Sequence, residues 1–272
     1  MKLDALSIHT TFECNKNPPC KNCYMASYRG KDNFTNDEWM KLPKIASKLG
    51  IKQLAMGGGE VTIDKKFLKQ FGKECKKQGV ILNITTNGLD IKDTTIFKDV
   101  TMVSLSFNDQ LIVSEDDYNN YMDTLQSLSK VTKVSSNLLL NKELIENPIV
   151  LLKLINVLIY NGVDRIFLLH PKPSTINILP IKDFILHLLI KYPVYIDDLI
   201  KNVIENESYF NWKGKCHYAN GFLSLSGKEL KGCSFATKSL ATLKKMEDLL
   251  DVIPTLASDG FNFCPALLGE EF

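Results

Sequence analysis

Residues 11–25 read Thr-Phe-Glu-Cys-Asn-Lys-Asn-Pro-Pro-Cys-Lys-Asn-Cys-Tyr-Met, and this stretch places Cys14, Cys20 and Cys23 in one loop. The loop follows residues 5–8, a mostly apolar run that predicts a strand. Three thiolates in one loop can hold three irons of a four-iron, four-sulfur cluster. Because no fourth cysteine lies nearby in the sequence, one iron of such a cluster would have no protein ligand and would be open to chemistry.

Other uses of these cysteines have to be weighed. A zinc site needs a fourth Cys or His, and the nearest candidate in the sequence is His9. The chain begins without an apolar signal segment, so we expect a cytoplasmic protein in which disulfides are rare. Zinc ligation and ordinary reduced thiols therefore remain alternatives to an iron–sulfur site.

A glycine-rich turn is the second feature. Residues 56–62, Met-Gly-Gly-Gly-Glu-Val-Thr, lie between a strand predicted over 53–56 and a helix predicted over 64–77. Glycine lets the backbone approach a ligand closely, and the carboxylate of Glu60 can hold an ammonium group. A simple tight bend is the alternative. The turn's position after the second strand favours a binding site.

Strands and helices alternate along the chain. Apolar runs predict strands near residues 5–11, 51–56, 80–85, 101–107, 132–139 and 164–170, with helices over 36–49, 64–78, 116–129, 142–161 and 178–191. This alternation predicts an α/β fold, a partial (β/α)6 barrel of parallel strands with right-handed crossovers. Ligands of such sheets bind at the C-terminal ends of the strands, which is where the cysteine loop and the glycine turn fall.

Together these motifs resemble the radical S-adenosylmethionine (SAM) superfamily. The resemblance covers roughly residues 4–200. Its cluster loop usually has three and then two residues between the cysteines; here Cys14-Asn15 and Cys20-Lys21-Asn22-Cys23-Tyr24-Met25 match, with a two-residue insertion at Pro18-Pro19. The Gly-Gly-Glu-Pro motif appears as residues 58–60 followed by Val61, and residues 82–88 and 103–109 match the third-strand Thr-Asn-Gly and fourth-strand Ser-x-Asp signatures.

The resemblance implies roles for individual residues. Cys14, Cys20 and Cys23 would hold a [4Fe-4S] cluster whose open iron is chelated by the amino and carboxylate groups of SAM. Gly58, Gly59 and Glu60 would position the methionyl ammonium, and Gly57 is a further cofactor-binding residue of the same turn. Ser106 and Asn108 are candidates for the ribose, Ser136 or Asn137 for ribose or carboxylate, and Asn87 belongs to the third-strand signature. Tyr24 would contact the adenine, because Asn22 stands where an aromatic or apolar residue is common. His170, at the end of the sixth strand, is a candidate catalytic residue, or a hydrogen-bonding residue of the rim.

The C-terminal third resembles the twitch module of the same superfamily, a hairpin plus helix that holds an auxiliary [4Fe-4S] cluster. Cys216, Cys233 and Cys264 are its implied ligands, the hairpin turns at Ser226-Gly227, and a helix is predicted over 238–252. His217 is a possible further ligand, although it adjoins Cys216. Reduced structural cysteines or a zinc site are the alternatives. The domains expected are a barrel over 1–205 and this module over 206–272.

The expected function is reductive cleavage of SAM and abstraction of a substrate hydrogen, with a flavodoxin- or ferredoxin-type external electron donor. A peptide or protein side chain is the preferred substrate and a nucleotide-like small molecule the second; a non-catalytic zinc or iron–sulfur protein is an alternative of another class. The chain of 272 residues has a formal net charge of +2, with no polybasic face for nucleic acid. It has no apolar run of the ~20 residues that cross a membrane.

Overall fold

The computed structural model of this chain describes residues 3–21, 23–172, 176–208, 216, 221–236, 238–256 and 264. Within this part of the chain, no helix is both long and apolar enough to span a bilayer. The predicted ligand His217 and the residue at the adenine position, Asn22, lie outside the described residues.

One sheet of ten strands runs through the described residues. The strands are β1 (Ala5–Thr11), β2 (Gln53–Gly58), β3 (Ile81–Thr86), β4 (Met102–Phe107), β5 (Lys133–Leu139), β6 (Arg165–Leu169), β7 (Val194–Ile196), β8 (Phe222–Ser226), β9 (Glu229–Lys231) and β10 (Ala241–Thr242). Their order is β10-β9-β8-β1-β2-β3-β4-β5-β6-β7. From β8 to β7 every neighbouring pair is parallel, which confirms the predicted α/β fold with its parallel partial barrel.

Most of the helices connect consecutive parallel strands, whereas a 3-10 turn at Thr94–Phe97 joins β3 to β4 and the last helix follows β10. The helices are α1 (Asn36–Trp39), α2 (Leu42–Lys48), α3 (Lys65–Lys77), α4 (Glu115–Ser129), α5 (Lys142–Glu146), α6 (Pro148–Tyr160), α7 (Lys182–Lys191), α8 (Asp198–Asn206) and α9 (Leu249–Thr255). Side-chain caps fix several starts: the Asp64 carboxylate accepts from the Phe67 N–H and the Ser114 hydroxyl from the Asp117 N–H. The helix predicted over 142–161 is divided at Asn147-Pro148 because proline is favoured at a helix start and disfavoured inside one.

The C-terminal hairpin is part of the same sheet. β8 pairs in parallel with β1, from Ala5 opposite Phe222 to His9 opposite Ser226, and β9 returns antiparallel to β8. Gly227, in the predicted turn, has φ of +58°, a conformation that favours glycine. The hairpin is therefore hydrogen-bonded to the barrel along the whole of β8, while the division into domains at residue 205 stays a prediction.

Two parts of the predicted secondary structure differ from the structure. A seventh parallel strand, β7, and the helix α8 follow the six predicted βα units. The helix predicted over 238–252 is wrong: this segment contains β10, a 3-10 turn at Met246–Asp248 and then α9. The Asp248 carboxylate accepts from the N–H groups of Lys244 and Lys245 and so starts the helical segment late.

Candidate functional site

The cysteine loop leaves the C-terminal end of β1. Burial raises the pKa of the Cys20 thiol, and charges at Cys23 and Cys14 raise it further against the opposing effect of Lys16. The mutual influence of these thiols places the three cysteines in one neighbourhood. The Cys23 N–H donates to the Cys20 carbonyl at 3.3 Å, which makes the second half of the loop a tight turn.

The glycine turn packs directly against this loop. The Gly59 N–H donates to the Thr11 carbonyl at 2.8 Å and the Glu60 N–H to the Glu13 carbonyl at 2.7 Å. A Cβ at Gly59 would lie 1.9 Å from the Glu13 carbonyl oxygen, and one at Gly58, where φ is +122°, would lie 2.5 Å from the Thr11 oxygen. The close approach that these glycines permit is thus to the cysteine loop itself.

Glu60 has a different environment from the one predicted for its side chain. The residue is 1 % exposed, and its carboxylate accepts hydrogen bonds from the Thr62 N–H and hydroxyl, the Thr86 hydroxyl and the Asn87 N–H at 2.7–2.9 Å. A carboxylate with four protein donors is already compensated. Its side chain fastens the end of β3 to the glycine turn, and ammonium binding by this turn stays a prediction.

Asn87 joins the third strand to the cysteine loop. Its side-chain NH2 group donates to the side-chain oxygen (Oδ1) of Asn15 at 2.8 Å and lies 3.7 Å from the Cys14 sulfur. The Asn15 amide in turn donates to the Leu89 carbonyl at 3.4 Å. Hydrogen bonds to ligand atoms orient the ligands of a metal site. The three predicted motifs therefore meet at one point.

The candidate ribose and carboxylate contacts at the ends of β4 and β5 lie in two different environments. Ser106 and Asn137 are partners in the parallel register and half-buried, and the Asn137 amide lies 3.5 Å from the Thr85 hydroxyl. Ser136, one residue earlier, is buried with its hydroxyl 2.9 Å from the Tyr121 hydroxyl of α4. Asn137 is therefore the better placed of the predicted pair for a ligand inside the barrel.

Asn108 has a local role in the turn after β4. Its carboxamide oxygen accepts from the Gln110 and Leu111 N–H groups at 3.0 and 3.1 Å. The Gln110 side-chain oxygen accepts from the Lys21 N–H, so this turn contacts the cysteine loop. A ribose contact by Asn108 stays a prediction, with its amide nitrogen as the group to make it.

Tyr24 lies between the cysteine loop and the C-terminal hairpin. Its ring centroid is 5.7 Å from that of His9 and 5.0 Å from that of Phe235. Although 38 % of the residue is exposed, its environment raises the pKa of the phenol, first by burial and then by the charges of Cys23 and Cys233. Tyr24 thus lies within electrostatic reach of one cysteine from each predicted cluster.

His9 is a site residue whose environment the sequence did not reveal. It is 1 % exposed, and its Nδ1 lies 2.7 Å from the Ser226 hydroxyl of β8. Burial, and then the positive charge of Lys231, lower the pKa of its imidazole to about 4. His9 is therefore a neutral hydrogen-bonding residue that joins β1 to the hairpin at neutral pH.

The C-terminal cysteines are buried: Cys216, Cys233 and Cys264 are 7 %, 6 % and 9 % exposed. Burial raises the pKa of Cys233 to about 11, with a further contribution from Cys264, while Lys172 acts in the opposite direction. The Cys216 sulfur lies 3.3 Å from an Asp198 carboxylate oxygen at the start of α8. Cys233 and Cys264 thus share one neighbourhood, and the auxiliary cluster stays a prediction.

The His170 side chain hydrogen-bonds to the segment that follows β6. Its Nδ1 lies 2.8 Å from the Pro171 carbonyl oxygen and its Nε2 3.1 Å from that of Ile176. The residue is 2 % exposed, and both of its ring nitrogens lie near backbone carbonyl oxygens. Its position matches the hydrogen-bonding alternative, and its catalytic role stays a prediction.

The two predicted sets of cysteine ligands have the chemistry that iron–sulfur clusters require. The three thiols of the N-terminal loop and the three buried thiols of the C-terminal part of the chain are the ligand type that iron–sulfur clusters use. Among the described residues, no group of three or more His, Cys, Asp and Glu side chains is arranged to hold one metal ion. Thiolates of a cluster bind separate irons, so they stand farther apart than the ligands of a single ion.

Sequence comparison finds no matching family model, but it finds curated relatives. The chain is 36 % identical over 90 residues to the probable GTP 3′,8-cyclase of Thermococcus kodakarensis, a match that covers 32 % of this chain and 28 % of that protein. It is 37 % identical over 84 residues to the probable GTP 3′,8-cyclase of Pyrococcus horikoshii, covering 30 % of this chain and 26 % of that one. The matched region is thus under a third of each relative's length.

Solved structures share the whole fold. Streptococcus suis SuiB bound to S-adenosylmethionine superposes with a TM-score of 0.74 at 17 % identity, covering 93 % of this chain and 65 % of that one. SuiB bound to its precursor peptide SuiA gives a TM-score of 0.72 at 13 % identity, covering 91 % and 64 %. These structures show that the chain has the fold of SuiB. Its cysteine loop, glycine turn and Asn87 are the motifs that resemble the cofactor site of the radical SAM superfamily.

Proposed function

We propose that this chain is a radical SAM enzyme in which Cys14, Cys20 and Cys23 hold a [4Fe-4S] cluster and SAM binds its open iron. The observation that carries the proposal is the junction at Asn87, whose side chain lies against Cys14 and Asn15 while its backbone N–H donates to Glu60. When bound, the cluster and SAM would supply reductive sulfonium cleavage and a 5′-deoxyadenosyl radical that abstracts a substrate hydrogen.

The protein's own residues would orient SAM rather than perform the chemistry. The turn at residues 57–60 would hold the cysteine loop in position, because its glycines let the backbone of the loop approach to contact distance. Ser106 and Asn137, half-buried at the ends of adjacent strands, would present hydroxyl and amide groups to the ribose. Tyr24, next to Cys23, would present its ring to the adenine.

We further propose that the substrate is a peptide or protein side chain. The likeness to SuiB, whose structure with a precursor peptide covers 91 % of this chain, supports this choice at the level of the fold. A nucleotide-like small molecule is the second candidate, supported by the GTP 3′,8-cyclase relatives at 36 % identity over 90 residues. The proposal includes an auxiliary cluster on Cys216, Cys233 and Cys264, an external flavodoxin- or ferredoxin-type electron donor, and a cytoplasmic setting.

Iron content and EPR spectra of anaerobically reconstituted protein test the cluster assignment. We expect about eight irons per chain in the wild type and about four in a Cys14→Ala/Cys20→Ala/Cys23→Ala variant, since each cluster holds four. SAM should change the EPR signal of the wild type and leave that of the variant unaltered. Cys75→Ala is the matched control, because Cys75 is buried in α3 among core residues and its loss should leave the iron content unchanged. A protein that binds zinc and no iron would contradict the radical SAM proposal.

Substrate class requires a separate experiment. Reduced protein with SAM should form little 5′-deoxyadenosine alone and more with a substrate that supplies a hydrogen atom. We expect GTP to leave this rate unchanged and a peptide encoded beside this gene to raise it. Stimulation by GTP, with deuterium transfer from labelled GTP to 5′-deoxyadenosine, would establish the nucleotide candidate instead.

A further inference from the structure

Lys172 is a partly buried cation that the cofactor-binding motifs do not include. It follows β6, and its ammonium lies 2.8 Å from an Asp197 carboxylate oxygen, with the two side chains 16 % and 14 % exposed. The same carboxylate oxygen accepts the His170 N–H at 3.1 Å, and the other accepts the Ile200 N–H at the start of α8. Asp197 is thus fixed by the backbone on both sides and holds Lys172 in place.

The Lys172 ammonium also lies over the ring of Phe235, two residues after Cys233. It lies 5.5 Å from the centroid of the Phe235 ring, and the Phe235 N–H approaches the Cys233 sulfur at 3.5 Å. Burial would lower the pKa of Lys172, but attraction to Asp197, Cys264 and Cys233 outweighs it and raises this pKa. The ion pair with Asp197 holds the charged ammonium in place, and Cys264 and Cys233 lie within its electrostatic reach.

We propose that Lys172 raises the reduction potential of the auxiliary cluster on Cys216, Cys233 and Cys264, and this inference rests on the cluster that the proposed function includes. Reduction adds one electron to the cluster and breaks no bond, so the reduced form is more negative by one charge. A cation fixed nearby in a buried site stabilises that form more than the oxidised one. Cluster potentials depend on local charge and solvent exposure in this way.

A redox titration followed by EPR tests the inference in the full-length Cys14→Ala/Cys20→Ala/Cys23→Ala protein, where the auxiliary cluster alone remains. Lys172→Met should weaken reduction at least tenfold, a fall in potential of about 60 mV for a one-electron couple. Lys172→Arg keeps the charge and should keep the potential near the unsubstituted value.

Lys76→Met is the matched control. Lys76 forms an ion pair with Asp99 at 2.9 Å, near the end of α3 and just before β4, at the edge of the sheet where the parallel strands begin. Because Lys172 follows the C-terminal end of β6, at the opposite edge, removal of the Lys76 charge should leave the potential unchanged. An equal fall in both variants would overturn the specific role of Lys172.

Asp197→Asn provides a second variant, which keeps the α8 cap because asparagine also caps helices. It removes the negative partner of Lys172 and should raise the potential. An iron-free triple variant would reject the auxiliary cluster and this inference together. About four irons with a potential that neither Lys172→Met nor Asp197→Asn alters would reject the inference and leave the proposed function intact.

Discussion

At the scale of the residue, His9 gives the stability of the fold a pH dependence. Burial and Lys231 lower its pKa from 6.5 to about 4, so below pH 6.5 the unfolded chain takes up a proton that the folded chain does not. Stability is therefore lost as the pH falls from about 6.5 towards 4. Between pH 7 and pH 5 this one group should cost about 2 kcal/mol.

Urea unfolding of the apoprotein at both pH values measures that cost. The wild type should lose about 2 kcal/mol more between pH 7 and pH 5 than His9→Gln, which cannot titrate there. His187→Gln, at an exposed position of α7, should keep the wild-type pH dependence. Parallel pH profiles for the wild type and His9→Gln would show that His9 is protonated in the folded protein.

Glu60 offers a second prediction at this scale. In Glu60→Gln the amide –NH2 of the new side chain would face some of the four donors that now meet the carboxylate. We expect the free energy of unfolding to fall by about 3 kcal/mol, as judged by urea unfolding of the apoprotein. Glu146→Gln, in an exposed pair with Lys142, should cost less than about 0.5 kcal/mol. Equal effects of the two substitutions would contradict the role given to Glu60.

Residue types and their order predicted where these groups lie more accurately than what they contact. Cys14, Glu60 and Asn87 follow strands β1, β2 and β3, so parallel topology brings them together. The sequence does not show that the Glu60 carboxylate would be enclosed by Thr62, Thr86 and Asn87, because that depends on how two separate segments, the turn after β2 and the end of β3, lie against each other. The sequence does not reveal the hydrogen bond of His9 either, because its partner Ser226 is 217 residues away.

At the scale of the element, the end of β2 determines whether the cysteine loop can form. A Cβ at Gly59 would meet the Glu13 carbonyl oxygen at 1.9 Å, and backbone cannot yield as a flexible side chain can. Gly59→Ala should therefore displace the loop and remove the iron held by Cys14, Cys20 and Cys23, about four per chain. Iron analysis after reconstitution measures this loss.

Gly79→Ala is the control for that substitution. Gly79 has φ of +69° with nothing within 4 Å of an added Cβ, so alanine there should cost about 1 kcal/mol of backbone strain and no iron. Retention of all iron in Gly59→Ala would show that the loop does not depend on its contact with β2.

Long periodic elements were predictable from the sequence and short ones were not. The helix predicted over 64–78 is α3, and the strand predicted over 132–139 is β5, which begins one residue later. β7 has three residues and β10 two, too few to show a period. The helix prediction over 238–252 was wrong because the Asp248 carboxylate accepts hydrogen bonds from the backbone N–H groups of Lys244 and Lys245. Such local side-chain hydrogen bonds compete with those of a helix, and the composition of the segment does not reveal them.

At the scale of the whole molecule, the C-terminal hairpin is joined to the barrel by its position in the sheet. β1 lies between β2 and β8, so removal of residues 206–272 would leave β1 as an edge strand with unpaired N–H and C=O groups. It would also remove Ser226 from His9 and Phe235 from Tyr24. The hairpin thus covers the edge of the barrel sheet at β1.

We therefore predict that a chain of residues 1–205 does not fold stably. It should lack a cooperative thermal transition by circular dichroism and should aggregate through the exposed edge of β1. The matched control is a full-length Cys216→Ala/Cys233→Ala/Cys264→Ala variant, which loses the predicted auxiliary ligands but keeps the β8–β1 pairing and should unfold cooperatively. A soluble 1–205 fragment with a sharp transition and about four irons would show that the barrel is an independent domain. Failure of both proteins would instead assign the stabilising role to the cysteines rather than to the strand pairing.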